Sequence, residues 1–317
     1  MMDFLSHQKQ RKRFLWQLMA ASMLLFLVVF TLNSCSNKSY DTPLTSQTPA
    51  TLIEPETLKA WIDAGIVNGT NGTGFDRVVI LDVTSQATYS AGHIPGAQFA
   101  SSSDINQNRQ EGPAADVNMN ADGPHMDAFI QKYGIDKNTT IVFTTGGNPG
   151  ASTVLSATRV YWMFRYWGFP KEKLKLLDGV NFSYAATYPG GLTTVASPAP
   201  VPSTYSVRNN AALRTDLRAS LLDMINVAED RVPNAVPIDM RTATTAGSYA
   251  GFRGSTGGVY NPSGDFTAFE GRIKGAKAMD FTTLFDSTKN FRFKSPDVLA
   301  SMFNGVGIDG TKYTHVY

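Results

Sequence analysis

Val78-Val79-Ile80-Leu81-Asp82-Val83, followed by Tyr89 and then by Gly92-His93-Ile94-Pro95-Gly96-Ala97, reads as one structural unit. The apolar, β-branched run has the composition of a strand buried on both faces. It ends on a carboxylate. The glycines of the second stretch permit a tight turn, and Pro95 stiffens it. His93 reads as structural, hydrogen-bonded within its own turn rather than catalytic.

Similar units lie on either side. Pro55 suits a first helical turn, with Leu58, Trp61 and Ile62 on one face and Gly65 to stop it. Met126, Phe129, Ile130 and Tyr133 mark a second helix, ended by Gly134. Thr139 to Phe143 and Lys173 to Leu177 are further strands. Between them a Gly-rich turn, Thr144 to Gly150, leads into a largely buried helix from about Ser152 to Trp167. Strands alternating with helices at this spacing imply an α/β fold with a mainly parallel sheet flanked by helices.

The pattern then recurs. Residues 197–212 open Pro- and Ser-rich and read as a linker. Leu213, Leu217, Leu221, Met224 and Ile225 form a helical stripe, and Val236 to Met240 is a strand. Ile80-Leu81-Asp82, Tyr89 and Gly92 to Ala97 have counterparts in Pro237-Ile238-Asp239, Tyr249 and Gly271-Arg272-Ile273-Lys274-Gly275-Ala276. Gly134-Ile135-Asp136 and Ile141-Val142-Phe143 match Gly307-Ile308-Asp309 and His315-Val316-Tyr317. The same order in both halves indicates an internal repeat. The offset grows from 157 residues at the Asp to 179 at the Gly-Ala, so the second copy carries an insertion of 22 residues around Gly251 to Phe269.

Strand-Asp, then Tyr, then Gly-His-Ile-Pro-Gly-Ala resembles the rhodanese (sulfurtransferase) domain. The resemblance runs over roughly residues 51–317, with residues 92–97 as its most specific element. It is that of a tandem thiosulfate or 3-mercaptopyruvate sulfurtransferase, in which an inactive first domain precedes a catalytic second one. It implies a non-catalytic domain over 51–196 and a second domain over 213–317. The family's nucleophile is a cysteine opening a loop of backbone N–H groups at a helix N-terminus, where a thiolate or persulfide is stabilised. By the repeat, the first half has Thr144 there, a hydroxyl with no accessible anion. In the second half, Tyr317 aligns with Phe143, so the nucleophile is expected immediately after Tyr317. The second domain is then truncated, the chain as given inactive, and its second half poorly folded. A fragment, a frameshift or a UGA codon for selenocysteine each fits such a break.

The resemblance also assigns supporting residues. Asp239 and Arg241 form the Asp-x-Arg that braces the active loop of catalytic domains, whereas the first half has Asp82 and Thr84. Arg253 and Arg272 are candidates for binding an anionic donor, set against the plainer reading of solvated surface arginines. Where the first half has Gly-His-Ile-Pro, the second has Gly-Arg-Ile-Lys, a departure from the family pattern.

The N-terminus is a targeting segment. Lys9, Arg11, Lys12 and Arg13 precede an apolar run from Phe14 to Leu32, then Leu32-Asn33-Ser34-Cys35. The last four resemble a bacterial lipobox, which makes 1–34 a signal peptide, Cys35 the lipidated residue and 35–50 a tether. An uncleaved membrane anchor is the alternative. Either way the body is expected in the cell envelope, periplasmic or on the outer surface. With one cysteine, no internal disulfide is possible. Residues 1–34 hold a balance of +3, so the chain's net +2 leaves −1 for the body, which excludes a general pull on nucleic acid. Four histidines and one cysteine offer no metal-ligand cluster. Gly146 to Gly150 lacks the lysine of a P-loop, so no cofactor is expected. The expected partners are a small sulfur donor and a thiol or cyanide acceptor, with the membrane through the lipid. A non-catalytic envelope lipoprotein, using the domain pair for binding or assembly, is the competing function.

Overall fold

A computed structural model describes residues 50–69, 77–101, 104–110, 115–210, 213–241 and 273–316. Residues 44–317 cluster as one compact unit. The elements run β1 (Leu52–Ile53), α1 (Pro55–Asp63), β2 (Val78–Asp82), α2 (Gln86–Ala91), β3 (Gln98–Phe99), β4 (Asn106–Gln110), β5 (Ala115–Asn120), α3 (Gly123–Lys132), β6 (Thr140–Thr144), α4 (Ala151–Tyr166), β7 (Leu174–Leu177) and α5 (Val180–Thr187). They continue with α6 (Val207–Asn210), α7 (Leu221–Ala228), β8 (Ala235–Asp239), β9 (Lys277–Ala278), β10 (Phe285–Asp286), β11 (Arg292–Phe293), α8 (Pro296–Gly305) and β12 (Tyr313–Val316).

The first half is a five-stranded sheet, ordered β1-β7-β6-β2-β3 and parallel throughout. Its strands bury both faces, so the two-residue period of the side chains sorts them into two cores. Val79, Leu81, Ile141 and Phe143 face α3 and α4, against Met126, Phe129, Ile130 and Phe164. Val78, Ile80 and Val142 face α1 and α5, against Leu58, Trp61 and Tyr184. Each of these large side chains, taken fully out of water, contributes about 1.5–3 kcal/mol. Capping fixes where the helices start. Pro55 opens α1, Ser85 caps α2 through the Thr88 N–H, and Asp122 caps α3 through the His125 N–H, with Pro124 behind it.

Among the described residues, the second half contains a three-stranded parallel sheet, ordered β12-β8-β9. Asp82 ends β2 and Asp239 ends β8. Leu81 stands opposite Phe143 on β6, whereas Ile238 stands opposite Val316 on β12. The sequence repeat pairs Phe143 with Tyr317, so the register of β12 differs from that expectation by one residue. β12 is an edge strand exposed along most of its length, with Tyr313 69% and Val316 62% exposed. A strand with little buried on either face has weakly specified register.

The helical stripe from Leu213 is not one helix. A 3₁₀ turn spans Thr215–Leu217, and α7 begins afresh at Leu221 behind a Ser220–Asp223 capping box. The Pro/Ser-rich segment is strapped to α3. The Ser203 N–H and the Gln131 side chain exchange hydrogen bonds with the backbone of Gln131 and Tyr205, and Ser206, Val207 and Arg208 all donate to the Asp127 carboxylate. Burial pushes that carboxyl up, but these three donors outweigh it and hold it below the usual range. The β10–β11 hairpin packs on the first half: Phe285 joins the α3/α4 core, and the Phe293 N–H donates to Asp178 at 2.9 Å.

Candidate functional site

The carboxyl ends of β2, β3 and β6 meet the starts of α2 and α4, the edge at which open parallel sheets bind their ligands. Two features share this edge, a buried polar network and an open cleft of about 740 Å³.

The network begins at Asp82, fully buried at the end of β2. Its carboxylate accepts hydrogen bonds from the Asn181 side-chain amide at 2.9 Å and from the Thr84 N–H at 3.3 Å. The Asn181 carbonyl in turn accepts from the Thr144 hydroxyl at 2.7 Å. Asn181 comes from the start of α5, where Gly179 takes a left-handed conformation at φ 72°. Burial pushes the Asp82 carboxyl above its ordinary value, against the Asn181 and Thr84 hydrogen bonds and the nearby His93. Thr144, the position that the repeat aligns with the expected nucleophile, is itself fully buried and spends its hydroxyl on Asn181. Among the described residues no base contacts it.

His93 is structural in its surroundings. It is fully buried, its ring stacks on Tyr89 at 3.7 Å, and its two ring nitrogens lie 2.8 Å from the Tyr89 carbonyl and 3.1 Å from the Val195 carbonyl. Backbone hydrogen bonds between His93 and Thr193 complete the clasp. The turn that follows needs glycine at Gly96: φ is 84°, and a Cβ would meet Val67 at 2.7 Å.

At the corresponding edge of the second sheet, Asp239 is also fully buried, but its partner is an arginine. Arg241 donates through Nε at 2.8 Å and Nη2 at 2.5 Å, one to each carboxylate oxygen, and its backbone N–H adds a third bond at 3.1 Å. This is a bidentate, charge-assisted pair. Of the remaining sequence candidates, Cys35, Arg253, Arg272 and Tyr317 lie outside the described residues, as does Tyr249. Lys274 is at the surface, paired with Asp230. Sequence reasoning missed Asn181. Nothing in its surroundings repeats in the second half, so no pattern marked it. Among the described residues no helix is long and apolar enough to cross a membrane, and no group of three His, Cys, Asp or Glu could hold a metal ion.

The family model for the rhodanese-like domain matches residues 55–185. No curated protein matches the chain in sequence. Among solved structures, the anaerobic ergothioneine biosynthesis enzyme from Chlorobium limicola in complex with trimethyl histidine is 16% identical, with a TM-score of 0.61, over 84% of this chain and 60% of that one. A variant of EanB in complex with hercynine gives 16% identity and a TM-score of 0.63, over 84% and 59%. Another EanB variant, with ergothioneine covalently linked with a persulfide cysteine, gives 16% and 0.62, over 84% and 60%. At this identity the likeness is one of fold, and the chain spans about three fifths of the length of these structures. The similarity to the rhodanese-like domain is thus carried by residues 55–185.

Proposed function

We propose that the chain is a rhodanese-type sulfurtransferase of two tandem units, in which the first unit does no chemistry and the second carries the nucleophile. The observation that carries this reading is the Asp239–Arg241 fork. Asp82 and Asp239 end equivalent strands, yet only the second is tied to a charged, bidentate partner beside β12. Two further observations support it. The fold likeness covers 84% of the chain, more than residues 55–185 can account for. The strand order β12-β8-β9 repeats β6-β2-β3.

In this reading the nucleophile is a cysteine or selenocysteine just beyond Tyr317. Its thiolate or selenolate attacks the sulfane sulfur of thiosulfate. The donor's S–S bond breaks, and sulfite leaves with the electron pair. A thiol or cyanide then attacks the outer sulfur of the enzyme persulfide, which regenerates the anion. With 3-mercaptopyruvate as donor, pyruvate is the other product. Asp239 and Arg241 brace the loop, and Arg253 and Arg272 are candidates to attract the anionic donor. Among the described residues, the edge of β12 has no partner strand and Leu221, Leu222, Ile225 and Val298 are exposed, which supports a second unit with further cover. The chain works in the cell envelope, anchored by lipid on Cys35.

A second reading, a non-catalytic envelope lipoprotein, draws on Thr144. The nucleophile position of the first unit is locked in a neutral hydrogen bond. Reading the nucleotide sequence past the codon of Tyr317 separates the two. An in-frame UGA, or a frameshifted frame resuming with a Gly-rich loop and a helix, supports the enzyme. Absence of both sinks it. Incorporation of labelled fatty acid into the full-length chain, lost in Cys35→Ser, tests the anchor.

A further inference from the structure

We infer that the β10–β11 hairpin is a latch by which the second half docks into the first, so that the first half holds the sheet around Asp239 in place. By sequence the hairpin belongs to the second half. β9 follows β3 at an offset of 179 residues, Lys277 against Gln98. At the same offset Phe285, which opens β10, answers to Asn106, which opens β4. The two hairpins are counterparts of opposite character. β4 reads Asn-Gln-Asn-Arg-Gln, whereas β10 and β11 present Phe285 and Phe293.

The apolar side of the latch lies in the core of the other half. Phe285 is buried in the cluster that holds Phe129, Phe143 and Phe164, and Phe281, Leu284, Phe291 and Phe293 pack against the same cluster. Phe285 and Phe293 meet across the hairpin with ring centroids 4.6 Å apart. Residues 281–293 thus turn five apolar side chains away from water and against the first half.

The polar side lies at the tip. Asn290 and Phe291 both take left-handed conformations, at φ 55°, a strained choice for phenylalanine. The turn brings the Asn290 carbonyl and the Arg292 side chain against Gly179, where a Cβ would meet them at 2.8 and 2.9 Å. The Phe293 N–H donates to the buried Asp178 carboxylate at 2.9 Å, and Arg292 pairs with Glu54, which precedes α1. The chain ahead of the hairpin is fastened to the second sheet. There the Met279 N–H donates to the Asp239 carbonyl at 2.9 Å, and the Phe281 N–H to the Met240 carbonyl at 3.1 Å. Asp178 stands just before α5, which carries Asn181, the partner of Asp82. Residues 279–293 therefore join the surroundings of one buried aspartate to those of the other. The latch requires nothing of the sulfur chemistry.

Hydrogen exchange of the 317-residue chain, followed peptide by peptide by mass spectrometry, tests the latch. In wild type the amides of β8 should be protected. Asp178→Leu, a change within the first half, removes the acceptor of the Phe293 N–H. It should speed exchange in β8 and in residues 279–293 by roughly tenfold or more, while β2 and β6 stay protected. Asp178→Asn keeps an acceptor oxygen and should stay within about threefold of wild type. If Asp178→Leu loosens β2 as well, the ion pair decides. Arg292→Glu should then speed exchange in β8 several-fold, and adding Glu54→Arg should restore it. Unprotected β8 in wild type, unchanged β8 exchange in Asp178→Leu, equal acceleration in Asp178→Asn, or a charge swap that restores nothing overturns the inference.

Discussion

The two sheets begin alike and end differently. In each, a buried parallel strand delivers a fully buried aspartate at its carboxyl end, Asp82 on β2 and Asp239 on β8. Asp82 is met by neutral groups, the Asn181 amide and a backbone N–H. Asp239 is met by the guanidinium of Arg241. Around Asp82 the sheet has five strands and helices on both faces. Around Asp239 it has three strands among the described residues, and β12 lies exposed at their edge. The difference separates two uses of one frame. One end is neutral and fully packed beside a cleft, while the other carries a charged, bidentate brace beside an exposed strand.

The largest expected effect contrasts the two cores. Phe164 is fully buried among Phe129, Phe143 and Phe169, so Phe164→Ala should cost about 3–5 kcal/mol in urea denaturation. Tyr313→Ala on exposed β12 should change stability by less than about 0.5 kcal/mol. A comparable loss at Tyr313 would mean that β12 is covered and the contrast is false.

The next contrast lies in the aspartates themselves. Arg241→Met leaves a buried carboxylate without its cation, and a loss of about 3 kcal/mol is expected. Asn181→Leu should cost less, about 1–3 kcal/mol, because Asp82 already has a raised pKa and can take up a proton. His93→Ala, which removes the ring nitrogens set against the Tyr89 and Val195 carbonyls and the Tyr89 stack, should cost roughly 2–4 kcal/mol. Chemical denaturation of the three variants ranks them.

The smallest effect is one of pH. Folding raises the Asp82 pKa, so the native state binds the extra proton. This part of the stability increases as pH falls through the folded value. Asp127 is the opposite case. Its stabilisation is present above the unfolded value and is lost as pH falls through its lowered folded value. Wild type should therefore gain on Asp82→Asn as pH is lowered from neutral, and lose to Asp127→Asn at more acidic pH. Parallel pH profiles for wild type and Asp82→Asn would remove the charged, destabilised carboxyl from the account.

Much of this frame was legible in the sequence, for identifiable reasons. β2 and β6 are buried on both faces and therefore carry continuous apolar runs, and β7 keeps the pattern except at Lys175. The repeat marked Asp82 and Asp239, and the Arg two residues after one of them. The β4–β5 hairpin is polar along Asn106–Gln110 and carries no alternation to read. β1 is two residues long, too short for any pattern. The stripe from Leu213 looked continuous because its apolar spacing survives the break that Ser220 introduces. Asn181 carries no motif: its role comes from where α5 brings it.

Sulfane-sulfur transfer from thiosulfate or 3-mercaptopyruvate to cyanide, followed as thiocyanate, tests the central claim most directly. It should be measured on the 317-residue chain and on the same chain extended through the downstream reading frame. The account predicts no turnover by the first. It predicts turnover by the second, with a persulfide on the residue after Tyr317 detected by mass spectrometry and diminished in Arg241→Met. Equal turnover by both chains, or none by the extended chain with either donor, would contradict it.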